Sequence, residues 1–204
     1  MNVQTLKPVR KWGLGASGLT PTMLNHAAWV THDVAATADF YTRIMGMELA
    51  STIYDDHVPS TGEAFPYFHI FFRMGDGSTI AFFEVPGLPE RAEPSHPAYR
   101  VFEHIALEAP DVEAVRQWKE WLVSNGVEVI GPVDHDEMLL SLYFYDPNGI
   151  RLEITTPTDA EWNRHTGQGY QDLEMWVAAK EKAVRENRSI PEALIELIRE
   201  KKGR

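Results

Sequence analysis

A chain that carries the same pattern twice is constrained to build the same unit twice. His26 is followed after seven residues by Asp33, after fourteen by Phe40, and then by Gly46-Met47-Glu48-Leu49. His104 is followed at the same intervals by Asp111 and Trp118, and then by Gly126-Val127-Glu128-Val129. Each copy closes on a short apolar run ending in a glutamate, Ile80-Ala81-Phe82-Phe83-Glu84 in the first and Ile150-Arg151-Leu152-Glu153 in the second. Histidines and glutamates at matching ends of two repeats point to a metal site shared between the modules.

The local signals read as one strand, one helix and three strands, twice. Asp33 and Asp111 stand where helix N-caps are expected, and Gly46 and Gly126 stand where those helices stop. Val112, Val115, Trp118 and Leu122 recur at helical spacing. Strands are expected over 24–30, 48–54, 66–73 and 78–85, and again over 104–108, 127–130, 139–145 and 150–155. The fold class is therefore α+β, with two tandem βαβββ modules forming a cupped, incompletely closed mixed sheet. The expected divisions are an N-terminal arm (1–22), a first module (23–86), a Pro-rich linker (87–100), a second module (101–157) and a helical extension (158–204). In that extension a helix is expected over 172–187, and Ser189 and Glu192 have capping-box spacing ahead of another.

Composition narrows the chemistry. At 204 residues and 44% hydrophobic content the chain can bury a proper core. A net charge of -11 argues against nucleic acid, whose phosphates demand clustered cations. Without cysteine there are no disulfides and no thiolate ligands, so a metal would be held by His, Asp and Glu. No apolar run has the length of a membrane span or a signal-peptide core, and the expectation is a cytoplasmic protein. A histidine at a strand start is usually just a satisfied polar residue. The duplication reverses that reading for His26 and His104, which with Glu153 form the expected metal set, and Glu84 is a candidate fourth ligand.

Over residues 23–157 the chain resembles the vicinal oxygen chelate superfamily, which includes glyoxalase I, methylmalonyl-CoA epimerase, fosfomycin-resistance proteins and extradiol ring-cleaving dioxygenases. The likeness rests on both module starts and on Tyr143-Phe144-Tyr145-Asp146-Pro147-Asn148-Gly149-Ile150-Arg151-Leu152-Glu153. It implies paired modules around a divalent metal that binds oxygen-chelating substrates. The dioxygenase signature is similar to the series His135, Leu142, Tyr143, Asp146, Pro147, Gly149 and Glu153. That resemblance implies iron(II), with Mn, Co, Ni or Zn as other ions the ligands accept, a catecholic substrate and O2. In it His135 acts as acid or base near bound oxygen, and Tyr143 hydrogen-bonds a substrate oxygen.

Two other readings stand beside this one. A glyoxalase- or epimerase-like isomerase or lyase would use Glu84 as a ligand and shuttle a proton alpha to a carbonyl. A ligand-sequestering protein on the same fold would bind without turnover. A homodimer is expected because Trp176, Leu194, Leu197 and Ile198 offer apolar surface beyond what the modules need. His32, His57, His96 and His165 read as surface residues. His69 is a strand histidine without an assigned place.

Overall fold

The computed structural model of the protein describes residues 19–90 and 92–203; the expected arm lies, up to residue 18, outside the described residues. The first module runs β1 (His26–Thr31), α1 (Val34–Asp39, continued by a π-helical turn Phe40–Ile44), β2 (Glu48–Asp55), β3 (Tyr67–Arg73) and β4 (Thr79–Glu84). A short helix α2 (Pro97–Phe102) leads to the second module, β5 (Ile105–Glu108), α3 (Val112–Ser124), β6 (Ile130–Asp134), β7 (Leu139–Tyr145) and β8 (Arg151–Pro157). Each module forms one mixed four-stranded sheet, ordered β1-β4-β3-β2 and β5-β8-β7-β6, with the first pair parallel and the rest antiparallel. The class is α+β as expected, and the two sheets are not closed into a barrel.

The caps are where the sequence puts them. The Asp33 carboxylate accepts from the Ala36 amide and that of Asp111 from the Ala114 amide, so each helix starts with one of its free N–H groups satisfied. Other expectations shift. The second expected strand of module two moves from 127–130 to β6, because Gly131-Pro132 reads as a breaker yet lies inside the strand at a bulge. Gly131 has φ 111, and a Cβ there would meet the Ser141 carbonyl oxygen at 2.8 Å, so only glycine fits. The expected linker (87–100) ends inside α2, which runs on to Phe102 and which the His96 ring caps by accepting from the Ala98 amide.

Strand alternation then assigns a role to each sheet face. Ile70, Phe72, Ile80 and Phe82 of the first sheet and Leu142, Phe144, Leu152 and Ile154 of the second are all 3% exposed or less. These eight share one core with Phe40, Tyr41 and Ile44 of the first helical segment and Val115 and Leu122 of α3. The Tyr41 ring stacks on Phe72 with centroids 5.2 Å apart and lies 5.0 Å from Phe82, while its neighbour Phe40 lies 6.5 Å from Phe144 of the other sheet. The helix-bearing faces of both sheets therefore look inward on one core. The opposite faces look away from it.

Polar contacts clamp the modules in this arrangement. The Tyr41 hydroxyl donates to Asp146 at 3.1 Å, the Asn148 amide to the Thr37 hydroxyl at 3.1 Å, and the Trp121 indole to the Ile44 carbonyl at 2.8 Å. Asp146 also accepts from the backbone amides of Asn148 and Ile150. Burial pushes the Asp146 carboxyl above its ordinary range against these donors. The Asp-Pro-Asn-Gly turn thus holds the two modules together as well as reversing the chain.

From Glu161 onward the chain forms a separate unit. Helix α4 (Thr166–Arg185) starts earlier than expected, running through Gly167 and Gly169, and α5 (Ile190–Lys202) begins at the expected Ser189 cap. Lys201 pairs with Asp172, and Arg188 with Glu196 at 2.6 Å, across the hairpin. Among the described residues no helix is long and apolar enough to cross a membrane.

Candidate metal centre

The outward face of the second sheet carries a polar cluster. His104 stands just before β5, and Glu153 pairs with Ala106 one strand away, so the two side chains meet on the face that looks away from the core. His104 Nε2 lies 2.7 Å from Glu153 Oε2, with the carboxylate 5% exposed and the imidazole 31%. The other ring nitrogen, Nδ1, donates to the Phe102 carbonyl at 2.8 Å. That bond fixes the ring and leaves Nε2 aimed at the carboxylate, as a metal-ligating histidine requires.

Tyr143 is the cross-strand partner of Glu153 and is buried beside it. Its hydroxyl lies 2.8 Å from His135 Nε2, which the β6–β7 loop presents to solvent. Burial first, and the Glu153 charge second, push the Tyr143 phenol above its ordinary value. The phenol therefore keeps its proton at neutral pH and serves as a donor. Arg151 covers the tyrosine ring, its guanidinium carbon 4.0 Å from the centroid.

The outward face of the first sheet is built differently. His26 is exposed at the start of β1, and its Nδ1 bonds the Asn25 side-chain oxygen at 2.8 Å, again leaving Nε2 available. Beside it His69 is 7% exposed, stacked on Phe83 with centroids 3.5 Å apart and 6.4 Å from the His26 ring. Its Nε2 has no protein partner, although buried polar atoms almost always have one. Burial, and then the nearby His26, pull the His69 imidazole down to about 4, so it is neutral at physiological pH.

Strand register corrects the place of Glu84. In the second sheet the glutamate pairs with Ala106, two residues past His104. The equivalent pair in the first sheet is Ala28 with Ala81, so an alanine occupies the position of Glu153. Glu84 pairs instead with Thr31 at the far end of β1, and its carboxylate accepts from the Val34 amide at 3.0 Å. It satisfies an orphan N–H at the start of α1 and lies on the helix side of the sheet, away from His26. The sequence ran the two closing glutamates together because each ends an apolar run, whereas only pairing register tells their faces apart.

The structure thus joins His104 with Glu153 and Tyr143 with His135, and it places His26 on the other sheet. Among the described residues these groups do not converge into a single cluster. Among the described residues, three side chains close enough to share an ion are Asp55, Asp56 and His57, exposed neighbours at the end of β2, where His57 bonds Asp56. Sequence reasoning missed Asn25, whose adjacency to His26 was its only signal, and Arg151, whose two-residue offset from Glu153 puts both on one face. His69 was visible only as a strand histidine. In donor chemistry, two imidazoles anchored through Nδ1 and one buried carboxylate fit a divalent ion such as Fe, Mn, Co, Ni or Zn.

Comparison with known proteins agrees with this architecture. A protein of Bacillus subtilis (strain 168) named "Putative ring-cleaving dioxygenase MhqA" is 27% identical over 150 residues, which cover 72% of this chain and 42% of that protein. The chain therefore matches less than half the length of that relative. The structure of a glyoxylase/bleomycin resistance protein/dioxygenase domain from Frankia sp. EAN1pec matches with a TM-score of 0.55 at 15% identity, over 68% of this chain and 99% of that one. The fosfomycin resistance protein FosX from Listeria monocytogenes matches with a TM-score of 0.51 at 22% identity, over 70% of this chain and 99% of that one. At those identities the two structures speak for the fold alone. The profile of one family matches residues 23–154, both modules together, and the chain belongs to the Glyoxalase/Bleomycin resistance protein/Dioxygenase superfamily.

Proposed function

We propose that this protein is an iron(II)-dependent extradiol-type dioxygenase that opens the ring of a catecholic aromatic, with His26, His104 and Glu153 as ligands. The observation that carries the reading is the group on the second sheet: a buried carboxylate held against an anchored imidazole, with a hydrogen-bonded Tyr–His pair one strand away. Iron(II) bound there would supply a binding site for both catechol oxygens and for O2. Both atoms of O2 enter the ring-opened product, so the reaction needs no external reductant.

The chain's own residues divide the remaining work. Tyr143, kept protonated by burial and by Glu153, donates a hydrogen bond from its Oη. His135 stands behind it at Nε2 and is open to solvent, so it takes up and returns the protons that a catechol loses on chelation and its product regains. On the first sheet Tyr67, Phe71 and Phe83 form an aromatic wall suited to a planar ring, and the neutral, unpartnered His69 Nε2 offers a polar atom within it. The similarity to a relative named as a ring-cleaving dioxygenase supports the same reading. The isomerase or lyase reading drew on Glu84 as a fourth ligand, and that carboxylate is engaged by the Val34 amide.

The test is oxygen consumption by protein loaded anaerobically with Fe(II), across a panel of substituted catechols. The expected outcome is uptake matched by a coloured ring-opened product. A Tyr143→Phe variant should lose about 100-fold in kcat or more with little change in metal content. Metal-loaded protein that consumes no oxygen with any catechol would overturn the proposal.

A further inference from the structure

The outward face of the second sheet holds a guanidinium that no acidic group neutralises. Arg43, Arg73, Arg100 and Arg188 each meet a carboxylate. Arg151 meets none among the described residues, although the chain carries a net charge of -11. Its contacts are of another kind: Nη1 donates to the Val101 carbonyl, and the guanidinium carbon lies over the Tyr143 ring. A guanidinium has five N–H donors in a planar fork, and Val101 takes one of them. The fork is also held in place. Three successive carbonyls at the end of α2 receive donors from this part of the second module, that of Arg100 from the Tyr145 hydroxyl, that of Val101 from Arg151 and that of Phe102 from His104 Nδ1. These are carbonyls the short helix leaves without partners of its own, so α2 anchors the Arg151 fork and the His104 ring together.

A cavity of about 1070 Å³ adjoins this fork, lined by His104 and Arg151 and by the aromatic side chains of Trp29, Tyr99, Phe102 and Tyr145. That is the size of sites that enclose a ring with its substituents. Its two carboxylates are Glu93, which Arg100 neutralises, and Glu103, exposed at the C-cap of α2. Arg151 is half-buried and stands two residues before Glu153 on β8, so both side chains leave the same face, about 7 Å apart along the backbone. Resting on the dioxygenase reading above, we infer that the substrate is a catechol with a carboxylate-bearing side chain, whose two ring oxygens lie at His104 and Glu153 and whose carboxylate lies on the Arg151 fork. A carboxylate matches the fork with two parallel hydrogen bonds, which fixes the direction of the side chain and with it the ring edge that meets Tyr143. A neutral group in the same place leaves a half-buried cation unanswered, so the site selects by charge.

Two catechols of matched shape test this, one carrying a carboxymethyl group on the ring and the other the corresponding carboxamide. Their binding is measured by calorimetry without oxygen, on protein loaded with Zn(II), which has no redox chemistry of its own, and on metal-free protein. With Zn(II) the wild type should bind the carboxylate about 10- to 100-fold more tightly than the amide, and added salt should shrink that ratio. Arg151→Gln should bring the ratio close to one, and Arg151→Lys, which keeps the charge without the fork, should leave it in between. Removing Zn(II) should weaken both catechols, and that comparison reads the metal rather than Arg151. A wild-type ratio near one, or a ratio that survives in Arg151→Gln, would overturn the carboxylate site while leaving the metal reading standing. A carboxylate preference that depends on Arg151 but is indifferent to Zn(II) would sustain the site and remove the metal from substrate binding. Failure of both catechols to bind would overturn both.

Discussion

The two sheets descend from one pattern but present opposite chemistry on their outward faces. The second carries an imidazole–carboxylate pair, a Tyr–His pair and Arg151, while the first carries one exposed imidazole, a buried neutral histidine and a wall of aromatic rings. The difference is carried by matching register positions, Glu153 between Ala106 and Tyr143 on the second sheet against Ala81 between Ala28 and Phe71 on the first. A carboxylate at that position attracts a cation and holds the neighbouring phenol protonated; a methyl group leaves space for flat apolar surface. Duplication therefore supplied two copies of a scaffold, and the pair Glu153 and Tyr143 against Ala81 and Phe71 separates a donor face from a wall.

Four measurements would break or sharpen this contrast, taken from the largest effect to the smallest. Glu153→Ala gives the second sheet the residue that the first carries at Ala81. Divalent-ion affinity in a chelator competition should fall by more than ~100-fold, since even groups behind the ligands are worth about 10–100-fold. Asn25→Ala frees the His26 ring from its anchor, and the same assay should show a loss of about 10-fold to 100-fold, with the fold unchanged by circular dichroism.

The third measurement concerns His69. Its imidazole is near 4 in the folded chain against an ordinary value of 6.5, so the unfolded chain binds the proton more tightly. Its contribution to stability is complete above pH 6.5 and is lost as the pH falls toward 4. Urea unfolding of metal-free protein should show that slope, and His69→Phe should flatten it. The smallest effect belongs to Glu84→Gln, which removes a charge from the start of α1 and should cost about 0.3–1 kcal/mol of stability. Metal affinity should stay within about twofold, whereas a large loss would return Glu84 to the metal shell.

Much of this molecule was readable from residue order. The two helix caps, the order of elements in each module and the adjacency of His104 to a carboxylate all follow from local chemistry repeated at fixed spacing. Gly131 misled because a glycine–proline step usually ends a strand, whereas here it bends one that continues. Glu84 misled because two glutamates closing two apolar runs look alike until pairing shows that one sits at Ala106 and the other at Thr31. Spacing along the chain specifies which residues can share a sheet face, since side chains alternate with a period of two. It does not specify how the strands slide past one another, or which way two sheets turn once they share a core. Those are settled by packing, here by Tyr41 and Phe40 wedged between Phe72 and Phe144 and by the Asp146 clamp. The sequence alone determined that two modules exist and that a histidine and a carboxylate of the second meet; only the tertiary structure decided that His26 and the His104–Glu153 pair face away from each other, because that direction is set by which faces bury their apolar side chains together.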